Sequence, residues 1–161
     1  PNQIPGYPGH QEIELALIKL WSVTGTQQYL DTARYFLNRR GTEPNYFLEE
    51  MKQEDFLPIF PELQDYDPSY SQSHLPPWEQ TTAEGHAVRA MYQLSAMADL
   101  AEITQDPALR KTCQTLWDNI TGKRMYVTGG IGSSDTWNGL PLTMTFPMTG
   151  CTAKAAHPSA S

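Results

Sequence analysis

The side chains able to carry proton, nucleophile or metal chemistry in this 161-residue sequence are 18 carboxylates, four histidines and two cysteines. Two histidines share a local context. His10 and His86 each follow a glycine, and each stands at the head of a segment with helical apolar spacing. A neutral imidazole offers one donor and one acceptor, a set that suits sugar hydroxyls. Two inner helices that both begin Gly-His would bring the two rings to one mouth. The plainer alternative is two unrelated histidines that cap or pack their own helices. Glu12, Glu14, Glu79 and Glu84 lie on or beside helical segments and read as solvated charges. Cys113 and Cys151 make no disulfide framework, and Cys113 reads as a small core residue on a helix. Gly129, Gly130 and Gly132 hint at a phosphate loop, but no Lys-Ser/Thr follows and no βαβ unit surrounds them.

The elements that must position these groups are helices. Thr82–Thr104 reads as one long helix, with Ala83, Ala87, Ala90, Met91, Leu94, Met97, Ala98 and Ala101 on one face. Thr81 or Thr82 is the expected N-cap, with Glu84 in the first turn. Pro107 then opens a returning helix whose inward residues are expected to be Leu109, Thr112, Cys113, Leu116, Trp117 and Ile120. An earlier pair has the same form. His10–Val23 carries Ile13, Ala16, Leu17 and Leu20 on one face and Leu15, Ile18 and Trp21 on another. Thr24-Gly25 ends it, and Gln27–Arg40 returns, with Arg39-Arg40 at its C-terminus. Two such hairpins predict an all-α fold, an α/α solenoid or closed α/α toroid. Between them, residues 41–80 hold six prolines and seven aromatics. That composition favours an ordered functional loop over a linker. Met125–Thr128 reads as a short strand.

The totals narrow the partners. A net charge of −7 argues against nucleic acid and against an anionic membrane. No apolar run is long enough to span a bilayer. The sequence opens on Pro in mid-pattern, so it is expected to be a piece of a larger protein. The localisation is open, with the cytoplasm as the default.

Assembled, the motifs resemble glycoside hydrolase family 127, the β-L-arabinofuranosidase-like enzymes. The resemblance rests on Pro8-Gly9-His10-Gln11-Glu12-Ile13-Glu14-Leu15-Ala16-Leu17, Gly85-His86-Ala87-Val88-Arg89-Ala90-Met91-Tyr92, Leu116-Trp117-Asp118-Asn119-Ile120 and Met125-Tyr126-Val127-Thr128-Gly129-Gly130-Ile131-Gly132-Ser133. It implies that residues 1–134 are part of an (α/α)6 toroid catalytic domain. It also implies retaining hydrolysis of a terminal L-arabinofuranoside or a related plant-type glycan. In the family the nucleophile is a cysteine at a zinc site, and a glutamate is the acid/base. By the same resemblance His10 and His86 are sugar-binding residues, and the Glu79-Gln80 pair has a supporting role. The rivals are a non-catalytic helical-repeat binding module and a toroid glycosidase for another sugar.

Past Ser134 the family pattern should continue with Glu, Asp-Tyr-Asp-Leu-Pro-Asn-Asp and a Tyr-x-Glu-x-Cys run. Instead, no acidic residue follows Asp135. The genetic code offers a reason. In the shifted frame, Trp137/Asn138 must encode Glu, and Met144/Thr145 and Met148/Thr149 must each encode Asp. Those three residues fall at the spacing that the family requires. Residues 135–161 are therefore expected to be an out-of-frame, unstructured tail. On that reading neither Cys151 nor His157 is a zinc ligand. No catalytic or metal-binding residue is assigned to this chain, and no zinc is expected in it.

Overall fold

A computed structural model of the chain describes residues 5–132 and Leu140. Its helices in chain order are α1 (Glu12–Thr24), α2 (Gln27–Arg39), the short α3 (Tyr46–Glu50) and α4 (Phe56–Ile59), then α5 (Ala87–Thr104) and α6 (Pro107–Lys123). Three single 3₁₀ turns, at Pro61–Leu63, Pro68–Ser71 and Pro77–Glu79, punctuate the long connection. The expected all-α hairpins are present. Among the described residues no helix is long and apolar enough to cross a membrane.

Each hairpin turns through a left-handed residue. Gly25 (φ 69°) closes α1 and donates its N–H to Trp21 O. Gln105 (φ 53°) does the same for α5, against the ordinary preference for glycine. Asp106 then caps α6 by accepting from the N–H groups of Ala108 and Leu109, and Pro107 takes the N1 position. Helix α1 packs on both α2 and α5, and α5 packs also on α6, so α1 and α5 are central and α2 and α6 flank them. Ile18, Leu30, Ala33, Leu37, Met97, Leu100, Leu109 and Leu116 fill the shared core, with Ala33 and Ala96 fully enclosed.

The structure corrects several expectations. Helix α5 begins at Ala87, not Thr82, and neither Thr81 nor Thr82 caps it. Gly85 stops the helix from starting earlier. It sits at φ +73°, and a Cβ there would lie 2.0 Å from Ser69 O. On α1 the buried side is Gln11, Glu14 and Ile18, while Ile13 and Leu20 are 42% and 41% exposed. On α6, Trp117 points outward, 49% exposed. The expected strand at 125–128 is a single antiparallel bridge, Met125 to Ile131. The chain reverses at once, with the Tyr126 N–H on Gly130 O, so no partner strand extends the pairing. Apart from Leu140, the expected tail lies outside the described residues. Leu140 is buried beside Ala83, Ala87, Ala90 and Ile120, and its N–H meets Gly85 O at 2.6 Å.

The largest departure is Glu14. It is not solvated but fully enclosed, 3.1 Å from the equally buried Arg40. Arg40 also donates to Pro8 O (2.7 Å) and Ser71 O (3.1 Å), and lies 4.8 Å over the Tyr7 ring. Burial pushes the Glu14 carboxyl up and the Arg40 guanidinium down, and each partner's charge opposes the other's shift. Removing one member leaves a buried charge alone. Glu14→Ala is therefore expected to cost about 3–5 kcal/mol in urea denaturation. Adding Arg40→Ala on that background should cost much less than Arg40→Ala does in the native chain.

Candidate functional site

The two Gly-His steps meet where α1 and α5 begin. His86 is the N-cap residue of α5, and its Nδ1 accepts from the Arg89 N–H at 3.5 Å. His10 precedes α1, and its Nδ1 accepts from the Glu12 N–H at 3.3 Å. With Nδ1 an acceptor in both rings, the proton of each neutral imidazole is assigned to Nε2. Both histidines therefore cap their own helices. That capping also turns each Nε2–H away from the helix end as a donor.

One arginine staples the two steps together. Arg89, in the first turn of α5, donates from Nη1 to Gly9 O at 2.9 Å and lies 4.9 Å over the Tyr70 ring. Tyr70 in turn meets the His86 ring edge-on, centroids 5.7 Å apart at 89°. Tyr92, one helical turn beyond Val88, meets His10 in the same manner at 5.3 Å. Burial first, then the positive charge of Arg89 and the neighbouring His10, hold the His86 imidazole below the ordinary histidine range. It is neutral at pH 7, the form that presents one donor and one acceptor.

Behind the histidines runs a chain of four buried glutamines, Gln11, Gln72, Gln80 and Gln93. Gln11 Nε2 donates to Ser71 O (2.8 Å) and Gln72 Oε1 (2.7 Å). Gln72 Nε2 donates to the carbonyls of Glu84 (2.7 Å) and His86 (3.2 Å), on either side of Gly85. Gln93 donates to Gln80 Oε1, and Gln80 holds Gln72 O (2.9 Å) and Leu75 O (2.8 Å). Gln72 itself has φ 53°. A non-glycine residue held there is strained by about 1–2 kcal/mol, and the surrounding hydrogen bonds keep it in place. The His86 N–H completes the corner on Tyr70 O at 2.9 Å.

The sequence pointed to His10, His86 and the Glu79-Gln80 pair, of which only Gln80 joins the buried chain. It missed Gln11, Gln72, Gln93, Tyr70 and Arg89. The available signal was polar residues at apolar-stripe positions of two helices, Gln11 with Glu14 and Gln93. Of the carboxylates, Glu12 and Glu79 are exposed, and Glu84 pairs with Arg124 at 3.0 Å.

The described residues do not fit a zinc site. Among them, no group of three or more His, Cys, Asp or Glu could hold a metal ion. Cys113 packs against the core, and burial pushes its thiol up to about 11, far from a thiolate ligand. Cys151 and His157 lie outside the described residues.

Comparison with known proteins gives this geometry its context. The family described as β-L-arabinofuranosidase, GH127 catalytic domain, matches residues 1–150. A non-reducing end β-L-arabinofuranosidase of Bifidobacterium longum subsp. longum is 41% identical over 133 residues, 83% of this chain and 20% of that protein. Among solved structures, a GH127 β-L-arabinofuranosidase from Geobacillus stearothermophilus T6 superposes with a TM-score of 0.78 at 47% identity. The match covers 88% of this chain and 22% of the other. A second GH127 β-arabinofuranosidase gives a TM-score of 0.70 at 40% identity, over 89% and 19% of the two chains. The helical hairpins are thus those of the α/α-toroid class of glycoside hydrolases. The chain belongs to the GH127 β-L-arabinofuranosidase family, and it spans about a fifth of the length of these relatives.

The histidines make stability depend on pH. Burial holds His74 below the ordinary value too, and its Nδ1 is enclosed without a partner. Both His74 and His86 are harder to protonate in the folded chain than in the unfolded one. Their contribution is therefore fully present above the unfolded value of about 6.5, and is lost as pH falls from there through the folded values. Urea midpoints should fall between pH 7.5 and 5, and His74→Gln should make that fall shallower.

Proposed function

We propose that residues 5–132 form the sugar-recognition wall of a glycoside hydrolase that removes terminal β-L-arabinofuranose units. The nucleophile and the acid/base come from other segments of the protein that carries them. One observation supports the reading: the His10 and His86 rings lie near enough for one to lower the other's pKa, and each commits its Nδ1 to a backbone N–H, which leaves Nε2 as its donor. Furanose hydroxyls suit such donors, and an uncharged His86 adds no charge that a neutral sugar would have to offset. Membership of the family supports hydrolysis as the reaction. The substrate follows from the named relatives, which are arabinofuranosidases.

On this reading the chain alone does not hydrolyse glycosides. A retaining mechanism needs both a nucleophile and an acid/base group. Neither is found among the described residues, and residues 136–161 hold no carboxylate side chain. We further propose that the reading frame slips between about Ser133 and Trp137. The family match reaches residue 150, and Leu140 is packed, so the coding DNA is the deciding observation. Beyond the forced Glu, Asp and Asp, the shifted frame must also encode the Tyr, Leu, Pro and Asn between them and the Tyr-x-Glu-x-Cys run that follows. A shifted frame without them ends the proposal.

The sugar-wall reading is tested in a full-length, frame-restored protein. His10→Ala and His86→Ala should each raise KM for an aryl β-L-arabinofuranoside about tenfold, the loss of one hydrogen bond to the ligand. An unchanged KM in both variants would remove the histidines from the site.

A further inference from the structure

The two Gly-His steps are alike in sequence and unlike in what holds them. Gly85 is wedged: a Cβ there would lie 2.0 Å from Ser69 O and 2.6 Å from Tyr70 O. Gly9 is exposed, and a Cβ there would meet nothing within 4 Å. Packing therefore fixes the backbone before His86 and leaves the backbone before His10 free. The residues on either side of the Gly9-His10 step are anchored. Pro8 O accepts from Arg40 Nη2 at 2.7 Å, and the Gln11 amide donates to Ser71 O at 2.8 Å. Between those anchors the Gly9-His10 peptide can flip without moving either, because glycine tolerates dihedral angles that other residues do not. Such a flip would change the φ angle of His10 and swing its ring off the start of α1.

One bond opposes the flip. Arg89 Nη1 donates to the Gly9 carbonyl at 2.9 Å. The guanidinium is steadied by the Tyr70 ring, whose centroid lies 4.9 Å away, and Tyr70 O holds the His86 N–H at 2.9 Å. The tether on His10 thus starts one turn from His86 and leans on the residue that fixes His86. Tyr92, three positions on and so on the same face of α5, meets the His10 ring edge-on at 5.3 Å. A planar guanidinium can stack on a ring and donate at once. A lysine ammonium has no plane to lay on Tyr70.

We propose that Arg89 is the positioning residue of the sugar wall: it locks the Gly9-His10 peptide and so sets the His10 imidazole at a fixed place relative to His86. Its part in recognition rests on the sugar-wall reading; the lock itself rests on the geometry of Gly9, Tyr70 and Arg89. The charge of Arg89 is a separate contribution. After burial and ahead of His10, it holds the His86 imidazole below the ordinary range. The carboxylate facing His10 is Glu12, at 4.0 Å, while Glu84 is taken up by Arg124. Lysine at position 89 would keep the charge and lose the lock.

The test is nuclear magnetic resonance of the 161-residue chain, native and with Arg89→Lys or Arg89→Met, titrated with methyl β-L-arabinofuranoside. Long-range proton–nitrogen spectra show which imidazole nitrogen carries the proton. In the native chain both rings should carry it on Nε2, and the sugar should shift both sets of signals. In each variant His10 should become a mixture of tautomers, while His86, which caps its own helix, keeps Nε2–H. His86 should titrate at higher pH in Arg89→Met and as in the native chain in Arg89→Lys, which separates charge from position. Both variants should bind the sugar about threefold to tenfold more weakly, as expected for one misplaced hydrogen bond. If Arg89→Met does not fold by circular dichroism, Arg89→Lys carries the test. Folded variants that keep the single His10 tautomer and the native sugar affinity reduce Arg89 to a structural residue and overturn the lock, whatever their stability in urea. If the sugar shifts neither imidazole of the native chain, the sugar-wall reading fails and the part of Arg89 in recognition falls with it.

Discussion

The fold turns on a charge that it cannot leave alone. Arg40 sits one residue past α2 with no exposure to water, a position that costs several kcal/mol unless its charge is paired, and its two terminal nitrogens are both aimed at acceptors. Its acceptors come from three separate segments: Pro8 O in the entry loop, Glu14 in α1 and Ser71 O in the long connection. Hydrophobic packing would hold the helices together in many registers. A fully enclosed guanidinium admits few. It fixes the loop and the connection against α1, and the connection is what reaches across to α5. The Gly85-His86 corner is then set by Ser69, Tyr70 and Gln72, the same short stretch that Arg40 holds through Ser71.

The two histidines are consequently placed by different means. His86 is held from both sides by backbone: its own N–H on Tyr70 O and its carbonyl on the Gln72 amide, with Gly85 allowing the connection to press close. The loop before His10 is held by side chains that grip its backbone, Arg40 on Pro8 O and Arg89 on Gly9 O. Both arrangements reach back to the glutamine chain, since Gln11 directly follows His10 and bonds to Gln72. Moving either corner breaks hydrogen bonds of the glutamine amides in a dry environment, where an unpaired polar group costs about 1–3 kcal/mol.

The helices were legible because their cause is periodic. Apolar spacing, Gly25, and Asp106 with Pro107 mark three helix ends almost to the residue. What failed was direction and burial. In α1 the apolar residues Ile13 and Leu20 are the exposed ones, and a glutamine and a glutamate face inward. Hydrophobicity alone ranks those faces in the opposite order. Arg39 and Arg40 are adjacent and alike in sequence, yet Arg39 bonds Pro5 O at the surface while Arg40 is enclosed. Only the carbonyls of distant segments distinguish them. The start of α5 was misplaced for a similar reason: Ala83, Glu84 and Gly85 are compatible with a helix until Ser69 O occupies the space beside Gly85.

The exposed face of α1 bears on the class of fold. A helix that buries Glu14 on one side and presents Ile13, Leu20 and Val23 on the other is inverted for a surface element. It is ordinary for the inner wall of an α/α toroid, where each central helix is flanked by a neighbour on both sides. Here α1 has α5 on one side. Its remaining apolar stripe is the surface that a further hairpin would cover in a closed ring, as the toroid relatives, five times longer, have chain enough to do. The buried polar stripe then belongs to the seam between hairpins. That explains why Gln11, Glu14 and Gln93 are spent on joining segments.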